Sequence, residues 1–158
     1  MATKILIRVG IVLLVLILAY VVRLIYLVQN TPAAAGFGTG SAITACPTTK
    51  PNCVSTLNTE DGFKAYPIAF TGDAVSAMAK LKAAIKTIPK HEVVFENAQQ
   101  IDVTFKTLVF GFCDDARFAL NQSANRIEFS SQSRVGYSDL GVNAKRIERI
   151  RAEIAFRK

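Results

Sequence analysis

The strongest pattern in the chain lies at its start. Val9 to Val22 runs without a charge, and the apolar run resumes from Leu24 to Val28 after one interruption at Arg23. Val9 to Val28 spans about twenty residues, enough for an α-helix to cross a hydrocarbon core of about 30 Å. Arg23 then snorkels toward one interface, which also suits Tyr20 and Tyr26. A second pattern begins at Asp73, where Val75, Met78, Leu81, Ile85 and Ile88 recur at helical spacing. Asp73 is the expected N-cap and Pro89 the stop.

From His91 onward the period shortens to that of strands. Glu92 to Glu96 is β-branched or aromatic, Ile101, Val103 and Phe105 alternate with Asp102, Thr104 and Lys106, and Leu108 to Phe112 stays apolar. Ala116, Phe118 and Leu120 form one further alternating face, and Ile127, Phe129 and Ser131 another, separated by the turn-rich N-Q-S-A-N segment. Leu140, Ala144, Ile147, Ile150 and Ile154 return to helical spacing. The expectation is an α+β fold: a single N-terminal transmembrane helix plus a four-stranded antiparallel sheet covered by two helices.

Between anchor and domain, Thr31 to Ala45 contains T-P-A-A-A-G-F-G-T-G-S-A, a small-residue stretch that reads as a linker, mobile or laid along a neighbour. The chain therefore divides into an anchor over 1–30, a linker over 31–45 and one domain over 46–158. About 125 residues suffice for a core without metal or many disulfides.

Charge adds a direction. All twelve acids fall beyond the apolar run, whereas Lys4 and Arg8 precede it, and no Lys or Arg follows Arg23 until Lys50. The positive-inside rule places the N-terminus in the cytoplasm and the domain outside it, which for a bacterial inner membrane means the periplasm. A cleaved signal peptide is the competing reading, because Ala33-Ala34-Ala35 offers an A-x-A-like site. The basic excess collects at the C-terminal end, in Arg134, Lys145, Arg146, Arg149, Arg151, Arg157 and Lys158. A solvated helix face accounts for it, and contact with anionic headgroups or an acidic partner is the sharper reading. Nucleic acid is not expected, since these cations lack interleaved aromatics.

The chemistry-bearing residues are few. Cys46 and Cys53 flank a turn-rich loop, and their spacing fits a disulfide in an oxidising compartment, with free thiols as the second reading. Zinc is the weakest, because distant Cys113 and the single His91 complete no recognised ligand set. Cys113 sits in an apolar context and reads as packing. Ser133, Ser138 and His91 lack the G-x-S-x-G pattern of a hydrolase, and neither a phosphate loop nor a dinucleotide fingerprint is present. The densest stretch is S-R-V-G-Y-S-D-L-G-V-N-A-K-R-I-E-R from Ser133 to Arg149, a corner with a helix-start signal at Ser138 or Asp139. Asp114 and Asp115 are adjacent and so face opposite sides of a strand, unsuited to joint acid–base work. One of them is expected to pair with Arg134 or Arg146 and fix the corner to the sheet. The candidate corner thus comprises Asp114, Asp115, Arg134, Tyr137, Asp139, Lys145 and Arg146, either structural or in contact with an anion. Arg23 is the candidate for pairing with another membrane protein.

Three separated motifs, C-P-T-T-K-P-N-C-V-S at Cys46 to Ser55, F-G-F-C-D-D-A-R-F at Phe110 to Phe118, and S-R-V-G-Y-S-D-L-G-V-N-A-K-R-I from Ser133, together resemble the bacterial and plastid family called domain of unknown function fourteen-ninety-nine. The resemblance covers nearly the whole domain after the linker and implies a membrane-tethered or exported module; it supplies no catalytic residues to carry over. The sequence departs from the family pattern by one extra residue between Cys46 and Cys53, by Cys113 in place of an aliphatic, and by Ser130 where arginine is frequent. The expected function is a membrane-anchored, extracytoplasmic, non-enzymatic interaction module, an accessory subunit of a larger membrane complex such as a respiratory or photosynthetic assembly. The alternative is a binding domain for an anionic small molecule or lipid headgroup. No cofactor or metal is called for; the expected partners are the bilayer and a membrane protein.

Overall fold

The computed structural model describes residues 2–156, so Arg157 and Lys158 of the basic C-terminal end lie outside the described residues. It begins with helix α1 (Ala2–Gln29), 28 residues long, none of them buried by the rest of the chain. The helix is long and apolar enough to cross a membrane, with a mean hydropathy of 3.0 over its best window. It starts earlier than the apolar run because Lys4 and Arg8, good helix formers, continue it toward the N-terminus.

The rest is α+β. Strands β1 (Cys53–Ser55), β2 (Ile68–Ala69), β3 (His91–Glu96), β4 (Gln100–Lys106), β5 (Cys113–Asn121) and β6 (Arg126–Ser133) form one antiparallel sheet. Helix α2 (Ala74–Ile85) follows β2, and α3 (Val142–Phe156) follows β6. The expected four-strand meander is β3 to β6, but the sheet has six strands in the order β1-β6-β5-β4-β3, with β2 also pairing β6. The two additional strands are only 3 and 2 residues long, too short for any alternation to register.

One face of the sheet is the apolar core. Ile101, Val103 and Phe105 of β4, Ala116 and Phe118 of β5, and Ile127 and Phe129 of β6 pack under Leu81 and Ile85 of α2 and Ile147 and Ile150 of α3. The register sets Phe118 opposite Phe129, with ring centroids 6.1 Å apart. Each fully buried Leu, Ile or Phe contributes about 1.5–3 kcal/mol through lost contact with water.

Asp73 caps α2, accepting a hydrogen bond from the Ser76 amide at 2.8 Å. That bond, with a second from the Ser76 hydroxyl, holds the Asp73 carboxyl below its usual range. Three members of the expected helical stripes stay out of the core. Val75 is exposed in the first turn of α2, and Leu140 lies outside α3 at φ +54°, its side chain 84% exposed. Ala144 is exposed as well. Gly141, at φ +76°, follows Leu140 and lets the chain turn tightly into α3.

The other sheet face is polar yet buried, because residues 31–45 lie across it. The expected linker is a strap. Gly38 passes over Val94, and Gly40, at φ +77°, lies so close to the Phe95 ring that a Cβ there would sit 2.7 Å from its Cζ. The small-residue composition that reads as a linker is what allows backbone to lie flat on the sheet. A register shift between Val93 and Phe95 brings Phe95 opposite Asp102, and so onto this face.

Candidate functional site

The Cys46–Cys53 loop closes as a disulfide, with Cα atoms 5.7 Å apart, so the extra residue between the cysteines is accommodated. Asn58 fixes the loop from beneath. Its Oδ1 accepts from the Cys46 amide at 2.6 Å, and its Nδ2 donates to the Cys46 carbonyl. Cys113 is free and buried, with its Sγ 3.8 Å from the Gln29 carbonyl oxygen.

Asp114 and Asp115, on successive positions of β5, project to opposite faces, and the candidate corner divides between them. On the helix face, Asp114 is 2% exposed and accepts from Arg146 Nη2 at 2.6 Å. It also accepts from the Ser133 hydroxyl. Arg146 donates through Nη1 to Asn143 Oδ1 at 2.8 Å and stacks over Phe105, 4.7 Å from the ring centroid. Asn143, fully buried in the first turn of α3, donates to Ser133 Oγ and to Asp139 Oδ2 and accepts from Ser131 Oγ. Asp139 caps α3 by accepting from the Gly141 and Asn143 amides. This network joins the start of α3 to β5 and β6.

On the strap face, Arg134 forms a fork with Asp115: Nε to Oδ2 and Nη2 to Oδ1, both at 2.8 Å. Thr104 donates to the same carboxylate. The hydrogen bonds to Asp115 raise the Arg134 pKa further above its ordinary range, against the opposing effect of burial. Arg134 Nη1 reaches back to the Thr31 carbonyl at 2.9 Å, where α1 gives way to the strap.

A third pair, unmarked by the sequence reading, lies beside it. Asp102 is 0% exposed; its carboxylate accepts from Arg117 Nε at 3.2 Å, from Gln100 Nε2 and from the Gly38 amide. The rest of the Arg117 guanidinium holds the strap, donating to the carbonyls of Ala42 at 2.6 Å and Gly36 at 2.7 Å, with Phe37 5.7 Å away. Asp102 and Arg117 are directly opposite in the register of β4 and β5. The alternation of β4 placed Asp102 on the polar side, and the acceptors that complete the arrangement are backbone carbonyls, which side-chain patterns do not reveal.

Arg134 and Arg146 are therefore both engaged by protein acids on opposite sides of the sheet. Tyr137 is exposed on the connection between β6 and α3, and Lys145 is exposed on α3, so neither completes a pocket with Arg134. A cavity of about 220 Å³ lies between strap and sheet, bordered by Asp115, Arg117, Gln132 and Arg134. A wider depression of about 400 Å³ opens on the helix side among Lys106, Leu108, Lys145, Arg146 and Arg149.

His91 begins β3, and its Nδ1 donates to the Ile88 carbonyl at 2.7 Å. It is separated from Ser133 by the two strands between β3 and β6, so the residues of a Ser–His pair are not brought together. Among the described residues no three His, Cys, Asp or Glu side chains gather as metal ligands. Arg23 is exposed on α1.

The family model described as a protein of unknown function (DUF1499) matches residues 42–154, most of the chain, and the chain belongs to that family. No curated protein matches it.

Proposed function

We propose that this member of the DUF1499 family is a membrane-anchored, extracytoplasmic contact module, an accessory subunit of a larger membrane complex and not an enzyme. The observation that carries the reading is α1: an apolar helix of 28 residues with no buried residue needs a non-polar surrounding that the domain does not provide. The charge pattern around it favours a cytoplasmic N-terminus and a periplasmic domain at a bacterial inner membrane. The disulfide suits an oxidising compartment. The contacts of Gln29 with Phe110 and of Thr31 with Arg134 support retention of the helix, since cleavage near Ala35 would discard them. The internal pairing of Asp102, Asp114 and Asp115 with arginines leaves these acids committed to structure, which favours contact over catalysis. Arg23, exposed on α1, is the residue offered to an acidic partner within the bilayer.

Native gels of gently solubilised membranes test the reading. A band heavier than the chain with its detergent micelle is expected, and a strictly monomeric protein with a mature N-terminus near Gly36 would overturn it. A second reading, binding of an anionic small molecule or headgroup, is favoured by Lys106, Lys145 and Arg149 around the 400 Å³ depression. Phosphate titration followed by the backbone resonances of α3 separates the two.

A further inference from the structure

Val75, Tyr66 and Phe156 are exposed singly, but one end of the domain carries a run of exposed apolar side chains. The connection between β4 and β5 presents Leu108 (65% exposed), Val109 (81%) and Phe110 (53%) as three consecutive apolar residues. Beside it, the connection between β6 and α3 presents Tyr137 and Leu140, and both connections border one cavity, with Thr107 and Phe112 on one side and Leu140 and Val142 on the other. A soluble hairpin tip gains nothing by displaying such a run, and contiguous exposed apolar surface marks an interaction site.

What faces this end is given by its position. The Gln29 side chain, at the last residue of α1, donates to the Phe110 carbonyl at 3.2 Å, and the Gln29 carbonyl lies against Cys113. Thr31 is held by Arg134 at the same end of the sheet. The apolar tip thus sits where the apolar helix leaves its surroundings. At a rise of about 1.5 Å per residue, α1 extends beyond a hydrocarbon core, so its last turn lies at headgroup depth.

Charge agrees with this position. Lys90, whose Nζ donates to the Leu108 carbonyl, lies beside the tip with Lys106, Lys145 and Arg149. Nearby Asp139 is occupied in capping α3, and Asp114 is paired with Arg146. Apolar residues at the tip with cations set around them match an interfacial surface on anionic lipid.

We infer that this end of the domain docks on the bilayer: Leu108, Val109 and Phe110 enter the interfacial region of the leaflet from which α1 emerges, while Lys90, Lys106, Lys145 and Arg149 meet anionic headgroups. The inference rests on the reading of α1 as an anchor. The domain then lies against the membrane in a fixed orientation, with the Asn121–Arg126 turn at its far end.

The sequence contains no tryptophan, so single tryptophans report position directly. The full chain is reconstituted into phosphatidylcholine–phosphatidylglycerol vesicles carrying brominated acyl chains, in four versions: Leu14→Trp, Val109→Trp, Phe110→Trp and Ser123→Trp. Leu14→Trp, Val109→Trp and Phe110→Trp are expected to be blue-shifted and quenched, and Ser123→Trp to emit as in water. Adding K106E/K145E is expected to weaken quenching at position 109. Quenching at position 14 with none at 109 or 110 would overturn docking and leave the anchor intact, whereas no quenching at position 14 would overturn the anchor itself. Shielding of position 109 in native membranes but not in pure lipid would assign the tip to a protein partner and overturn the bilayer reading. Quenching at 109 unchanged by K106E/K145E would overturn the role given to the cations.

Discussion

The two faces of the sheet are built from the same strands and buried by opposite means. The helix face is covered by α2 and α3 through Phe105, Phe118, Phe129 and the isoleucines around them. The strap face is covered by backbone, and its buried residues include Gln100, Asp102, Thr104, Asp115 and Arg117. Apolar burial is non-directional and tolerates repacking, whereas a buried charge pair demands geometry and punishes the loss of one member. The first face supplies most of the stability; the second specifies where one segment lies.

The largest expected effects test whether the two faces can be separated. Asp102→Ala strands Arg117 under the strap and Asp114→Ala strands Arg146 under α3, and each should cost about 3–5 kcal/mol in urea unfolding of the full chain. The comparison predicts that only Asp102→Ala exposes residues 31–45 to limited proteolysis under native conditions. Equal cleavage in both variants would break it, because the strap would then depend on the whole fold and not on its own network. Replacing Cys46 and Cys53 with serine removes the closure of a short loop and should cost about 2–3 kcal/mol, with no change in strap proteolysis. Gly40→Ala sets a Cβ against Phe95 in a left-handed conformation and should cost about 1–2 kcal/mol, read as loosening of the strap by hydrogen exchange.

The smallest effect lies on the helix side. Asp73→Ala removes the cap of α2 and should lower the melting temperature slightly near neutral pH. Folding depresses the Asp73 pKa, so its contribution is fully present above the unfolded value and is lost as pH falls through the folded one. The variant and parent should therefore converge in acid, and a difference that persists there would assign the loss to packing.

The helix face was legible because it follows periodicity. Met78, Leu81 and Ile85 in α2, Ile147 and Ile150 in α3, and the alternation in β4 to β6 all stand where their spacing puts them. The stripes err at Val75 and Ala144, which lie in the first turns of α2 and α3 but face solvent, and at Leu140, which precedes α3; spacing does not mark where a helix begins or which side of its first turn is covered. The strap face was half legible. Alternation put Asp102 and Thr104 on the side opposite Phe105, but it does not distinguish a polar face covered by water from one covered by chain. Glycines and alanines of the strap bind through amides and carbonyls, so their low complexity reads equally as a mobile tether or as chain laid along a neighbour. The corner from Ser133 to Arg149 was recognised as a unit, yet adjacent Asp114 and Asp115 send Arg146 and Arg134 to different sides, and the one expected site became two joints.

Laying the strap down also sets how far the domain can search. A free chain of roughly fifteen small residues would let its cargo wander about 20 Å from the anchor. Pinned by Arg117 and Arg134, those residues contribute almost no reach. With α1 held in a bilayer as proposed, such a domain would not fish for partners above the membrane; it would meet what diffuses to it in the plane, at one height and with one side presented.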